Sequence, residues 1–413
     1  MWKQSGTDFT ANSGHRGFIF GLNTWGILAA LVMSISPGSS AATGIEGSIS
    51  SAADTSRPGK AAARISELMR QRPVVGLSVA VVRKGRLFYA KAFGHRDIAT
   101  REPLRESDLF RIASISKSFT ATCLMQLADL GRVSLDDDVG TLVGFPVRNP
   151  AYPSTVITLR MLLAHRSSIN DSEGYFSLDA IDPSRNPGYA KAFNSYAPGN
   201  GYQYCNLNYN LAGAILERLA GRRFDLHVQR SILEPLRLYG GYCVDSLDAS
   251  RFAKLYAYDS ATAAFSESAA AYAPRREEIA RYVMGRSTPL FSPTGGMKIS
   301  APDLARYMLL HMRMGRHRGG RILSREGAKA MQTPLSLKEG YGMALLETGR
   351  LIPGQTLRGH TGSAYGLYSA MFWHPGKRFG FVVISNGCHP GYTDGFNTVI
   401  RETVGILYET LIR

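Results

Sequence analysis

The spacing of apolar residues changes period along the chain. From Val74 to Gly94 (VVGLSVAVVRKGRLFYAKAFG) two β-rich runs meet at Lys84-Gly85, which is hairpin-turn chemistry. After Ser114 the period becomes helical, with Ile115, Phe119, Cys123, Leu127 and Leu130 on one stripe and Gly131 as the stop. Residues 158–170 and 207–220 also read as helices; the second carries Leu211, Ala212, Ile215, Leu216 and Leu219 on one face before Gly221. The stretch from about 130 to 285 is helix and loop with few strand signals. Strand patterns return at Leu357 to Arg358, Leu367 to Trp373 and Phe379 to Ser385, with Pro375-Gly376 as a turn. A last helix places Ile400, Val404, Leu407 and Leu411 together.

Strands at both ends with helices between them predict an α+β fold. A sheet subdomain (about 61–125 and 290–413) would be built from both termini, and a helical subdomain (about 126–289) inserted in it, with a cleft between. Upstream, Gly17 to Met33 is an apolar run preceded by Lys3, His15 and Arg16 and followed by Ser39, Ser40, Ala41 and Ala42. That is the pattern of an export signal cleaved after Ala42, or of an uncleaved membrane anchor. Residues 43–60 read as a linker, and a short helix is expected from Ala61 to Arg70. Export to the periplasm or medium is therefore expected, with membrane association through the N-terminal segment as its variant.

Composition narrows the functional classes. In 413 residues, 44% are apolar and 19% charged, which is globular. The net charge of +16 raises nucleic acid or anionic surfaces as partners, but no recognition motif accompanies it. The densest basic stretch, Arg313 to Arg325, reads as a solvated connection. Cys-x-x-Cys and His-Glu-x-x-His do not occur, so zinc-finger, iron–sulfur and zincin chemistry are set aside, and no metal or other cofactor is implied.

Three local elements can carry chemistry. Ser114-Ile115-Ser116-Lys117 is the one Ser-x-x-Lys of the chain, at the start of a predicted helix, where i and i+3 share a face. A serine hydroxyl needs a base to become a nucleophile, and a desolvated lysine can act as one. Tyr204-Cys205-Asn206 precedes the 207–220 helix; a tyrosine there can relay a proton and an Asn amide can orient a carbonyl. Gly359-His360-Thr361-Gly362-Ser363 lies on a late strand, where glycine allows close backbone approach and strand N–H groups can complete an oxyanion hole. Taken singly, each is also readable as cap, staple or strand filler.

Together, in this order and spacing, they resemble the serine penicillin-recognising enzymes. The similar branch holds class C β-lactamases, D-alanyl-D-alanine carboxypeptidases, D-aminopeptidases and related esterases. The stretches that carry the likeness are 111–140, 157–170, 198–222, 293–308 and 359–387. The resemblance implies a β-lactamase-like fold: a mostly antiparallel sheet flanked by helices, plus a helical domain. It implies Ser114 as the acylated nucleophile, Lys117 as its base partner, and Tyr204 as general base or relay. Asn206 would bind the substrate amide carbonyl, and the N–H groups of Ser114 and Ser363 would form the oxyanion hole. His360 and Thr361 would face a substrate carboxylate or the leaving group, next to Gly362.

The implied activity is hydrolysis of D-amino-acid peptides, amides or esters through an acyl-enzyme, on small-molecule or cell-wall-derived peptide substrates. A β-lactamase proper and a catalytically silent penicillin-binding-type envelope protein are the alternatives. His-Thr-Gly stands where β-lactamases of this branch have Lys-Thr-Gly, which points to the D-peptidases and esterases. Cys205 replaces the usual Ser between Tyr and Asn and is the alternative nucleophile. His165-Arg166-Ser167-Ser168 replaces His-Thr-Ser-Gly, with His165 read as structural. If a disulfide forms, the expected pair is Cys243–Cys388.

Overall fold

A computed structural model describes residues 56–413; the expected leader or anchor and most of the expected linker lie outside them. No helix of the described residues is long and apolar enough to cross a membrane. In chain order, the elements that frame the site are α1 (Arg57–Gln71), β1 (Val74–Arg83), β2 (Arg86–Asp97), β3 (Glu102–Pro103), β4 (Phe110–Arg111) and α2 (Ser116–Asp129). They continue with α3 (Asn206–Ala220), β5 (Gly240–Gly241), β6 (Lys298–Ile299) and α4 (Ala301–Met312). The chain closes with β7 (Leu346–Ile352), β8 (Gln355–Ala364), β9 (Leu367–Trp373), β10 (Gly380–Cys388) and α5 (Thr398–Leu407). Helix α1 begins inside the stretch read as linker, because Ser56 caps it and Pro58 suits a first turn.

A seven-stranded sheet runs β7-β8-β9-β10-β1-β2-β3, antiparallel at every pairing, and draws its strands from both ends of the chain as predicted. The β1–β2 hairpin turns at Lys84 and Gly85, which both take positive φ (52° and 73°) as a type I′ turn requires. Strand β1 is almost continuously buried because both of its faces are covered. Leu77, Val79 and Val81 point into a core shared with α1 and α5, whereas Ala80 and Val82 point into a larger core shared with α2, α3 and α4. That division removes the expected Cys243–Cys388 bridge. Cys243 lies in one core and Cys388 in the other, on opposite sides of the sheet, and all four cysteines are free.

The inserted region departs from the sequence reading in two places. The predicted 158–170 helix stops after Leu159–Leu163, because His165 and Ser168 take left-handed backbone conformations (φ 57° and 63°) that no helix continues through. A short hairpin, Tyr256–Asp259 with Ala264–Glu267, sits where few strands were expected. By contrast α3 spans Asn206–Ala220 and ends on Gly221 in the left-handed conformation, as its sequence signals.

Candidate active site

Ser114 sits on a single 3-10 turn, Ala113–Ile115, that leads directly into α2. Ala113 holds a φ of +46°, a cost for a residue with a Cβ, so the turn must be braced from outside. The braces are visible. Ile112 N–H donates to Met297 O at 3.0 Å, Met297 N–H donates to Ser116 Oγ at 3.1 Å, and Ser369 Oγ donates to Ile112 O at 3.1 Å. Strand β8 presses on the same turn. A Cβ on Gly362 would come within 2.2 Å of Ile112 O, so only glycine lets this strand lie against the nucleophile. Strand β7 pairs with β8 only as far as Gly359, which leaves residues 360–364 with one edge that no strand of the sheet covers. An extended acyl chain could be received there.

Lys117, the second residue of α2, is fully buried. Its Nζ lies 3.1 Å from Ser114 Oγ, 2.9 Å from Asn206 Oδ1 and 3.1 Å from Thr294 O. Burial draws its pKa down to about 7, against the opposing pull of the Asp171 carboxylate. The three partners are not equivalent. Thr294 O and Asn206 Oδ1 can only accept, so a neutral amine spends its two N–H bonds on them and turns its lone pair toward the one partner that carries a proton, the Ser114 hydroxyl. The Asn206 amide is oriented by its own contacts, since Nδ2 donates to Asp171 Oδ2 (3.1 Å) and Oδ1 accepts from Thr294 Oγ1 (2.9 Å). Asn206 is thus a ligand of the lysine through Oδ1, while Nδ2 keeps a second hydrogen beyond the one given to Asp171.

Tyr204 hydrogen-bonds to Ser114, and its ring stands 4.7 Å from Lys117 Nζ. Burial pushes its phenol far up, so it keeps its proton at working pH and can pass protons but not act as a standing phenolate base. Of the two candidate bases, Lys117 is the one whose remaining acceptor contacts leave its lone pair facing the Ser114 hydroxyl.

Asp171, which sequence reasoning missed, organises the second motif. Its carboxylate accepts from the N–H groups of Asn206 (2.8 Å) and Leu207 (2.9 Å), from Asn206 Nδ2 and from Cys205 Sγ (3.1 Å). It thus caps α3 from 35 residues away in the chain. Cys205 is fully buried and its thiol is pushed well up by desolvation, which disfavours the thiolate that the alternative nucleophile would need. His165 is buried too, accepts from Cys205 N–H at 3.2 Å and packs its ring 4.3 Å from that of Tyr204. It is a wall residue, as read.

His360 is held by its neighbours. It is buried, its Nε2 lies 3.1 Å from the Tyr341 hydroxyl and its Nδ1 faces Thr361 O. Burial, with the nearby Lys117 charge, draws its pKa down to about 3. A neutral imidazole in that place brings no positive charge to a substrate carboxylate; the departing group is the other role the resemblance implies for it. Thr361 and Ser363 are partly exposed beside it on alternate positions of the strand, and Gly362 is buried against the serine turn. Among the described residues no cluster of His, Cys, Asp or Glu could hold a metal ion.

A serine, a lysine poised near neutrality, a protonated tyrosine and a free strand edge together belong to acyl-transfer chemistry. The Beta-lactamase family model matches residues 61–404, which is most of the chain. The chain belongs to the Beta-lactamase family. Protein flp of Staphylococcus aureus (strain N315) is 29% identical over 171 residues, 40% of this chain and 34% of that protein. The alignment thus spans about a third of that relative's length. Among solved structures, an octameric penicillin-binding protein homologue from Pyrococcus abyssi superposes with a TM-score of 0.67 at 26% identity, covering 85% of this chain and 77% of that one. D-amino acid amidase from Ochrobactrum anthropi SV3 shares the fold, with a TM-score of 0.67 at 22% identity over 86% and 99% of the two chains.

Proposed function

We propose that the protein is an exported serine hydrolase that works through an acyl-enzyme on D-amino-acid amides or peptides and on esters. The observation that carries this reading is the Lys117 amine, with two acceptors fixing its hydrogens and its third contact on Ser114 Oγ. In the first step the Ser114 proton moves to Lys117 Nζ while Oγ bonds to the substrate carbonyl carbon. The oxyanion so formed is held by backbone N–H groups. Collapse breaks the bond to the leaving amine or alkoxide, which takes the proton back from Lys117 by way of Tyr204. Water then repeats the sequence on the acyl-enzyme and frees Ser114.

The preference for D-configured amides is supported by the structural likeness to D-amino acid amidase and by the His-Thr-Gly motif. Small molecules or cell-wall-derived peptides reached after export fit that preference. The test is a panel of D- and L-phenylalanine amides, a 4-nitrophenyl ester and benzylpenicillin. The reading expects turnover of the ester and the D-amide, and a slowly released adduct with the penicillin. Faster turnover of penicillin than of either would overturn it in favour of a β-lactamase. Cell fractionation of the full chain tests the export part, which cytoplasmic retention would contradict.

A further inference from the structure

Three residues before Ser114, Arg111 presents a guanidinium that the mechanism above does not use. Its Nε donates to Gly295 O at 2.9 Å, and its Cζ lies 5.1 Å from the centroid of the Tyr365 ring. Its backbone N–H donates to the Tyr272 hydroxyl at 3.2 Å. One edge and one face of the guanidinium are therefore fixed, and the two Nη groups form the remaining edge. Among the described residues no carboxylate lies within ion-pair distance of Arg111, although the other cations around it are provided for. Arg275 pairs with Glu278 (2.7 Å), and Lys298, opposite Arg111 in the β4–β6 register, is buried and donates to Tyr242 O at 2.6 Å. A partly buried guanidinium anchored on a carbonyl and an aromatic face, with a two-pronged edge left over, matches a planar anion such as carboxylate.

Its place relative to the reacting atoms is set by neighbouring backbone. Thr294 O holds Lys117 and Gly295 O holds Arg111, so consecutive carbonyls anchor the base and the guanidinium. Along the free edge of β8, Ser363 is flanked by His360 toward one end, and Tyr365, the first residue of the β8–β9 turn, lies just past the other. The Tyr204 ring lies 6.2 Å from that of His360, so on the proposed mechanism a leaving group served by Tyr204 would sit toward the His360 end. Arg111, whose guanidinium lies over the Tyr365 ring, stands toward the opposite end, where that mechanism would put the acyl half of the substrate.

The geometry points to Arg111 as the specificity residue for a carboxylate carried on the acyl half of the substrate. This rests on the serine-hydrolase reading for its catalytic assay, and a binding assay separates the two. The hydrolysis of mono-(4-nitrophenyl) adipate is compared with that of its methyl ester, which has the same length and no charge. The ratio of the two kcat/KM values should fall about tenfold or more in Arg111→Gln, the scale of a lost charge-assisted hydrogen bond. Arg111→Lys should fall in between, and added salt should lower the wild-type ratio. An unchanged ratio in Arg111→Gln overturns the proposal even if both rates drop.

In parallel, binding of adipic acid monoamide to Ser114→Ala is measured by calorimetry, with and without Arg111→Gln. Weakening of about tenfold supports the carboxylate site even if Ser114 should prove not to be the nucleophile. Equal binding by the two proteins refutes the site whatever the catalytic outcome. Thermal melts accompany each variant, and if Arg111→Gln does not fold, Arg111→Lys with the ratio and the salt series decides.

Discussion

Replacing Asp171 with asparagine should shift the pH dependence of Ser114 acylation, and shift it downward. Acylation needs Lys117 neutral, so its rate should rise with pH through the lysine pKa of about 7. Asp171 does not touch the amine; it reaches it through the Asn206 side chain, by contacts of 3.1 Å and 2.9 Å. Across roughly 7 Å at an effective dielectric of about 20, its charge favours the ammonium by about 2 kcal/mol. Removing that charge disfavours protonation of Lys117, so the pKa falls, by at least about one unit. At pH 6 the neutral fraction would then rise from about one-tenth to about one-half, a fivefold gain relative to the plateau. The same change turns an amide N–H₂ toward two donors and should cost about 1–3 kcal/mol of stability. The assay is the pre-steady-state burst of a 4-nitrophenyl ester between pH 5 and 9, normalised to each plateau, with a thermal melt beside it. A limb that stays at 7 or moves up would refute the assignment of Lys117 as the base under the influence of Asp171.

Tyr204→Phe should lower acylation by about 10²- to 10⁴-fold, the range for a lost proton relay, while keeping the limb near pH 7; loss of the limb itself would make tyrosine the base. Gly362→Ala should cost on the order of 2 kcal/mol or more and abolish the burst, because the added carbon meets Ile112 O at 2.2 Å. Gly405→Ala on α5, with nothing within 4 Å of the new carbon, should instead leave activity intact and raise stability by roughly 0.5–1 kcal/mol; the paired melts check both.

What was legible in the sequence was mostly what is local. Ser114 and Lys117 lie one turn apart, so helical spacing alone brings them together, and Tyr204 and Asn206 sit at the start of a helix whose stripe and Gly221 stop are plain. The sheet was readable from β1, β2, β9 and β10, which are dense in β-branched and aromatic residues. Strand β7, LETGRLI, carries a glycine and two charges within it and gave no strand signal.

The parts that sequence could not show are set by distance and burial. Asp171 caps α3 across 35 residues, and Thr294 reaches Lys117 across 177, with no periodicity to announce either. His360 was found, but not its charge, because an ionisable side chain takes its protonation state from its surroundings, here a buried site shared with Tyr341. The Cys243–Cys388 pairing failed for the same kind of reason: which side of a sheet a cysteine occupies is a property of the assembled layers.

The central claim is that Ser114 is the residue acylated. Intact-mass analysis after brief exposure to a fluorophosphonate, and separately to a 4-nitrophenyl ester at low pH, tests it directly. The account predicts one adduct per chain, peptide mapping to Ser114, and no adduct in a folded Ser114→Ala protein. Stoichiometric labelling of Ser114→Ala, or an adduct mapped to Cys205, would contradict it.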